Sequence, residues 1–383
     1  MIYLDNHATT PLDPRIAPQL LAAYTQTFGN PSSTDHRFGD AAAAAVKTAS
    51  QQIAQLLHCR PRQIIFTSGA TESLNLAILG TVNPLIDQGK RPRVACTPVE
   101  HKAVLETCRH LAQSDRIDWI TLPVDRTAQI DLDAVEACCA QGLDLLCGMA
   151  ANNEVGTIYP VREMSAIAHR YGVPYLCDAA QAVGKIPLQF QDWGITMLAV
   201  SAHKCYGPKG SGALLVQDHH RLAPMLYGGG QQRNQRPGTL NVPGIVGLGA
   251  ACHLRQAEMT ADETAIAQRR DRLQTQLQTH IPDLVINGDP IHRLAGNLHI
   301  SIPGIPNSAI TARLRDRVAL STGSACTSGV EAPSHVLQAM HLPADQIEGA
   351  IRIGLGKFTT DAELDQAAPW LIAEVDAIRT IMA

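Results

Sequence analysis

Hydrophobic and polar positions in the first half of the chain alternate between two rhythms. "GDAAAAAVKTASQQIAQLL" has alanine-rich helical spacing, and "DPRIAPQLLAAY" predicts a shorter helix before it, with Asp13 as cap and Pro14 in the first turn. Short apolar runs then recur: "QIIFT" (63–67), "RVACT" (93–97), "LDLLCGMA" (143–150), "VPYLC" (173–177), "ITMLAV" (195–200) and "GSGALLV" (210–216). Helical patterns follow the first three, beginning beyond Ser68-Gly69, at about His101, and over "REMSAIAHRYG". Strands and helices in alternation predict an α/β fold with a mainly parallel, doubly wound sheet. After about residue 250 the pattern changes to a long polar helix, "ETAIAQRRDRLQTQLQTHI", then the strand "GNLHISIPG" and a helix from "NSAITARLRD". These predict a second, smaller α/β domain. There is no internal repeat and no low-complexity linker.

Composition narrows the function classes. Of 383 residues, 45% are hydrophobic and 17% charged, which is globular and excludes a disordered chain. A net charge of −4 and no Lys/Arg stripe on any predicted helix argue against direct nucleic-acid binding. The opening "MIYLDNHATTPLDP" lacks the features of a signal peptide, and no later stretch reaches the roughly 18 apolar residues of a membrane span. A cytoplasmic location with no membrane contact is expected. The ten cysteines, including the neighbours Cys138 and Cys139, show no CxxC pair, no disulfide framework and no metal-ligand spacing. Cys96, Cys147 and Cys177 sit in apolar runs, as buried thiols do. Cys326 does not: "STGSACTSG" (321–329) surrounds it with small and hydroxyl residues.

In an open α/β sheet, ligands bind beyond the carboxyl ends of the strands. The residues expected there are "SGATE" (68–72), "VEHK" (99–102), "ANNE" (151–154), "DAAQ" (178–181) and "SAHK" (201–204). Gly69 and the helix N-terminus after it offer free N–H groups for an anion, with the Thr71 hydroxyl beside them. Asp178 reads as a helix cap or as a carboxylate that holds a proton on a ring nitrogen. His101 reads as an ordinary surface or core histidine, and Glu100 as a charge for the helix dipole. Lys204, just past "ITMLAV" and flanked by Ser201, His203 and the Gly-rich "YGPKGSG", is unlike a solvated lysine. A lysine of lowered pKa forms Schiff bases with carbonyl compounds. Singly each residue has a plain structural reading, but together at one sheet edge they describe a site for pyridoxal phosphate.

The chain also resembles the class V aminotransferase group of fold-type I, and within it the NifS/IscS-like cysteine desulfurases. The resemblance runs nearly end to end, through "YLDNHATTP", "FGNPSSTDHRFG", "FTSGATES", "EHKAVLE", "NNEVGTI", "DAAQAVGK", "SAHKCYGPKG", "GGGQQRNQRPGTLNVP", "STGSACTSG", "PSHVL" and "IRIGLGKFTT". It implies a large domain (14–256) with a mainly parallel seven-stranded sheet flanked by helices. It implies too a smaller α/β domain (1–13 and 257–383) that carries the cysteine loop. The cofactor it implies is pyridoxal 5'-phosphate, with Lys204 as the Schiff-base lysine, His101 stacked on the pyridine ring, Asp178 on its nitrogen and Gln181 near the phenolic oxygen. Ala70, Thr71, Ser201 and His203 would surround the phosphate, and Thr239 would reach it from the partner subunit of a homodimer. Asn153 and Arg352 would hold the carboxylate of the L-cysteine substrate.

The resemblance gives Cys326 its reason. Its thiolate would take the substrate sulfur as a persulfide, leaving alanine, and pass it to an acceptor protein, with His101 as acid and base. The acceptor stays open between iron–sulfur cluster assembly, tRNA thiolation and DNA phosphorothioation. A selenocysteine lyase or a small-substrate aminotransferase would share Lys204, Asp178 and His101, whereas transamination has no need of Cys326. "IRIGLGKFT" lacks the serine and second arginine common in the family but keeps Arg352.

Overall fold

The computed structural model describes residues 1–322 and 333–382. In chain order, β1 (Ile2–Tyr3), α1 (Ala17–Thr25) and α2 (Arg37–Leu57) precede the main alternation. That alternation runs β2 (Ile64–Thr67), α3 (Ala70–Asp87), β3 (Arg93–Cys96), α4 (Lys102–Gln113), β4 (Asp118–Thr121), α5 (Leu132–Ala140), β5 (Leu145–Met149) and α6 (Val161–Arg170). It closes with β6 (Tyr175–Asp178), β7 (Met197–Ser201) and β8 (Gly212–Val216). Then follow α7 (Val242–His280), β9 (Val285–Ile286), β10 (Asn297–Ser301), α8 (Asn307–Leu314), β11 (Val318–Ala319), α9 (His335–Ala339), α10 (Ala344–Glu348), β12 (Ala350–Gly354) and α11 (Asp361–Met382).

Seven strands form the main sheet in the order β2-β8-β7-β6-β5-β3-β4. All pairs are parallel except those of β8, which runs antiparallel to both β2 and β7. Every residue of β5, β6, β7 and β8 is buried, because helices cover both faces. β4 is the edge strand that the hydrophobic pattern misses: "DWIT" is exposed at both ends and has no apolar run to announce it. At the other edge, the Gln232 amide takes the place of a further strand, accepting from Phe66 N at 2.6 Å and donating to Phe66 O at 2.9 Å.

A second core joins the two ends of the chain. Ile2 and Leu4 pack with Leu298, Ile300, Ile353 and Leu371 over the antiparallel sheet β12-β10-β9. Helix α7 crosses between the cores. The sequence shows a change of pattern at about residue 250, yet a single 39-residue helix runs through it. Its first half packs tightly against α1 and α2, where a Cβ on Gly249 would lie 2.6 Å from Ala49 Cα, so small residues replace an amphipathic stripe. Its second half buries Ile266, Leu273 and Leu277 in the other core.

The first helix also differs from its expected start. It begins at Ala17, with Pro18 in the first turn, and Asp13 caps nothing there. The buried Asp13 carboxylate instead takes Arg15 Nη2 at 2.7 Å and the Lys357 ammonium, which holds its pKa far below the usual carboxylate range.

Candidate active site

Five strand ends open onto one cavity of about 550 Å³. β2 delivers the chain to Gly69, whose backbone (φ 155°, ψ −177°) is open to glycine and strained for other residues. A Cβ on Gly212 of β8 would lie 2.6 Å from Gly69 Cα, so the two strands meet here at backbone distance. The 18-residue α3 starts next, with no side chain capping it, and the first N–H groups lack intrahelical acceptors. Glu72 folds back on this turn. It accepts from Ser68 N at 2.8 Å and pairs with Arg236 Nε at 2.7 Å, which ties down the segment that bears Thr239. Ser201, His203, Lys204 and Lys209 line the same end of the cavity, giving it the positive character an anion needs. The His203 imidazole is held neutral, its pKa pushed down to about 4 by burial and by the neighbouring Lys204 and Lys209.

Deeper in the cavity lie the acid and base groups. His101 is the N-cap of α4, its Nδ1 accepting from Ala103 N at 3.1 Å, so the ring proton sits on Nε2. Burial lowers its pKa, while the nearby Asp178 charge opposes that shift. Asp178 ends β6, where its Oδ1 accepts from Ala180 N at 2.9 Å. Burial raises its pKa, and the charges of His101 and Lys204 with the Ala180 N–H act the other way. Lys204 Nζ donates to the carbonyls of His7 and Ala8 at 2.6 and 2.7 Å.

Asn153 follows β5 in a turn built by its neighbour. Asn152 Oδ1 accepts from Glu154 N at 2.8 Å and Val155 N at 3.0 Å, and Asn152 Nδ2 donates to Val99 O at 3.1 Å. Arg352 enters from β12. Its Nη1 donates to Asn153 O at 2.8 Å and its Nη2 pairs with Asp5 at 2.9 Å, while its Nε is buried without a hydrogen-bond partner among the described residues.

Of the site residues expected from the sequence, Ala70, Thr71, His101, Asn153, Asp178, Gln181, Ser201, His203, Lys204 and Arg352 line this single cavity. Thr239 is exposed on the surface and does not line it. Cys326 lies outside the described residues. Nine other cysteines are free thiols, eight of them buried. Glu100 departs from its reading as a helix-dipole charge. It is buried, with Oε1 accepting from Thr97 Oγ1 and Met149 N, both at 3.0 Å, and burial pushes its pKa up to about 8. Sequence reasoning missed His7, which lines the cavity from the N-terminal segment; the segment's apolar-poor "DNHATT" gives no periodic signal for it.

The arrangement pairs an anion-binding end, a lysine, a buried carboxyl and an arginine. It suits a phosphorylated aromatic aldehyde joined to an amino acid. A model described as Aminotransferase class-V matches residues 2–367. "Cysteine desulfurase, mitochondrial" of Arabidopsis thaliana is 40% identical over 380 residues, which is 99% of this chain and 83% of that protein. A solved structure described as a NifS-like protein superposes with TM-score 0.89 at 33% identity, over 98% of this chain and 99% of the other. A second, SspA in complex with cysteine, gives TM-score 0.83 at 31% identity, over 94% of this chain and all of the other (100%).

Proposed function

The chain belongs to the class-V aminotransferase family and is a cysteine desulfurase, and from that premise we propose that it binds pyridoxal 5'-phosphate at the sheet edge and passes the sulfur of L-cysteine to Cys326. The observation that carries the reading is the convergence of ten expected side chains on one cavity. The residues fit the cofactor on physical grounds. The uncapped start of α3 has donors to spare for a phosphate, Asp178 is buried where a ring nitrogen would need a carboxylate, and Arg352 Nε awaits an acceptor. When bound, the cofactor supplies an electron sink for the bonds of the amino acid's Cα.

The chain's own residues do the rest. The N–H groups of Ala70 and Thr71, the Thr71 and Ser201 hydroxyls and His203 would hold the phosphate, joined by Thr239 of the second subunit. Asp178 would keep a proton on the ring nitrogen, and His101 would stack on the ring. Lys204 Nζ moves the proton at the substrate Cα. Asn153 and Arg352 fix the substrate carboxylate, which orients Cα and sulfur. His101 exchanges protons with the substrate thiol through Nε2, since its Nδ1 is committed to the Ala103 N–H. The Cys326 thiolate then attacks that sulfur: an S–S bond forms, the C–S bond breaks with its electron pair left on Cβ, Cβ takes a proton, Cα regains its own through Lys204, and L-alanine leaves. The protein works as a cytoplasmic homodimer that hands the persulfide sulfur to an acceptor protein. Exposed Leu21, Tyr24, Phe28, Phe38 and Tyr227 give the subunit an apolar surface suited to a second copy.

Incubation with L-cysteine and a reductant tests the reading. The wild type should release sulfide and alanine in equal amounts. Cys326→Ala should accumulate neither, although its cofactor absorbance still changes when cysteine is added. Full activity in that variant would point to a lyase that expels sulfur without a protein thiol.

A further inference from the structure

We propose that His7 and Lys185 are positioning residues that fix the side-chain amide of Gln181, so that one of its N–H bonds is aimed at the cofactor's phenolic oxygen; this rests on the cofactor assignment above. Gln181 is buried, and its amide has four hydrogen-bonding positions to account for, two donor and two acceptor. Its Nε2 lies 2.8 Å from His7 O, and a carbonyl only accepts. Its Oε1 lies 3.1 Å from Lys185 Nζ, which donates. The two partners leave no choice of orientation: oxygen faces Lys185, nitrogen faces the N-terminal segment. Among the described residues His7 O is the acceptor of Nε2, and its second hydrogen remains for the cavity that Gln181 lines.

The same logic sets the His7 tautomer. His7 Nδ1 stands 3.3 Å from Gln181 Oε1, so Nδ1 carries the hydrogen. Nε2 is then the nitrogen without a hydrogen; it is buried and, among the described residues, makes no hydrogen bond, while the Gly296 backbone lies close to the ring. Burial, with Lys185 and Arg352 nearby, keeps the ring neutral by holding its pKa well below the ordinary histidine value. His7 O also accepts from Lys204 Nζ at 2.6 Å, so one residue touches both Gln181 and the lysine that would hold the cofactor. The charged and titratable groups facing the cluster are Arg352 from β12, Arg255 and Glu263 from α7, and Cys205 with Lys204 after β7.

A donor on the phenolic oxygen stabilises its negative charge most when no proton shares it. It therefore lowers the pH at which the bound cofactor's visible absorbance titrates. Holoenzyme titrated from acid to alkali should show that midpoint raised by about one pH unit in Gln181→Leu, and by a similar amount in His7→Leu and Lys185→Met. His7→Asn and Lys185→Gln keep a donor toward Oε1 and should restore the wild-type midpoint. Restoration by Lys185→Gln excludes a purely Coulombic role for the ammonium. In the Gln181→Leu background neither His7→Leu nor Lys185→Met should move the midpoint further. Shifts that add to that of Gln181→Leu, or no shift in His7→Leu and Lys185→Met, would overturn the proposal. A wild-type chain that takes up no cofactor would overturn the cofactor assignment itself, and is recognised before any variant is compared.

Discussion

At the scale of single residues, two buried carboxyl groups differ in their neighbours. Asp178 faces His101 and Lys204, whereas Glu100 has only neutral donors, Thr97 Oγ1 and Met149 N, and an Oε2 with no hydrogen-bond partner among the described residues. Replacing the Asp178 carboxyl should cost at least about a hundredfold in alanine production for Asp178→Asn, with the cofactor still bound, as rate and absorbance measured together would show. Glu100 acts on stability. Its folded pKa of about 8 lies above the unfolded value, so the folded state binds the extra proton between the two. Its contribution is whole below about pH 4 and is lost as pH rises through about 8. Denaturation of Glu100→Gln should show a smaller loss of stability between pH 5 and pH 9 than the wild type, by about 4 kcal/mol. Parallel curves for the two proteins would refute the assignment of that proton.

Elements carry these residues to one place, and some of them were legible in the chain while others were not. The fully buried strands announced themselves as apolar runs, and the residues just beyond them are the ones that line the cavity. β4 gave no such signal because an edge strand needs no apolar run. The continuity of α7 was hidden because tight packing demands glycine and alanine, which read as a pattern break. His7 and Asp13 owe their roles to neighbours more than a hundred residues away, and no local pattern encodes that. The turn after β5 makes an element-scale prediction. Gly156 has φ 78°, and a Cβ there would lie 2.4 Å from Asn297 Cγ, whose amide donates to Glu154 O at 2.8 Å. Gly156→Ala should lower stability by about 2–3 kcal/mol in chemical denaturation and weaken substrate binding through Asn153 and Arg352.

The whole molecule places an anion-binding helix start, a buried carboxyl and a lysine where parallel strands end, and brings Arg352 to them from the second core. The proposed homodimer belongs to this scale, since the exposed Thr239 would complete the proposed phosphate site only across a subunit boundary. Sedimentation should give twice the chain's 41.1 kDa. Tyr24→Glu, on the exposed face of α1, should shift that toward the single chain and weaken cofactor retention at the same time. The central claim, that sulfur leaves L-cysteine for a thiol of this chain, is tested most directly by mass spectrometry of the protein after brief exposure to L-cysteine without reductant. The account predicts that the peptide containing Cys326 gains the mass of one sulfur atom, that the gain disappears on reduction, and that the other nine cysteines stay unmodified. An unmodified Cys326 in a protein that still forms alanine would contradict it.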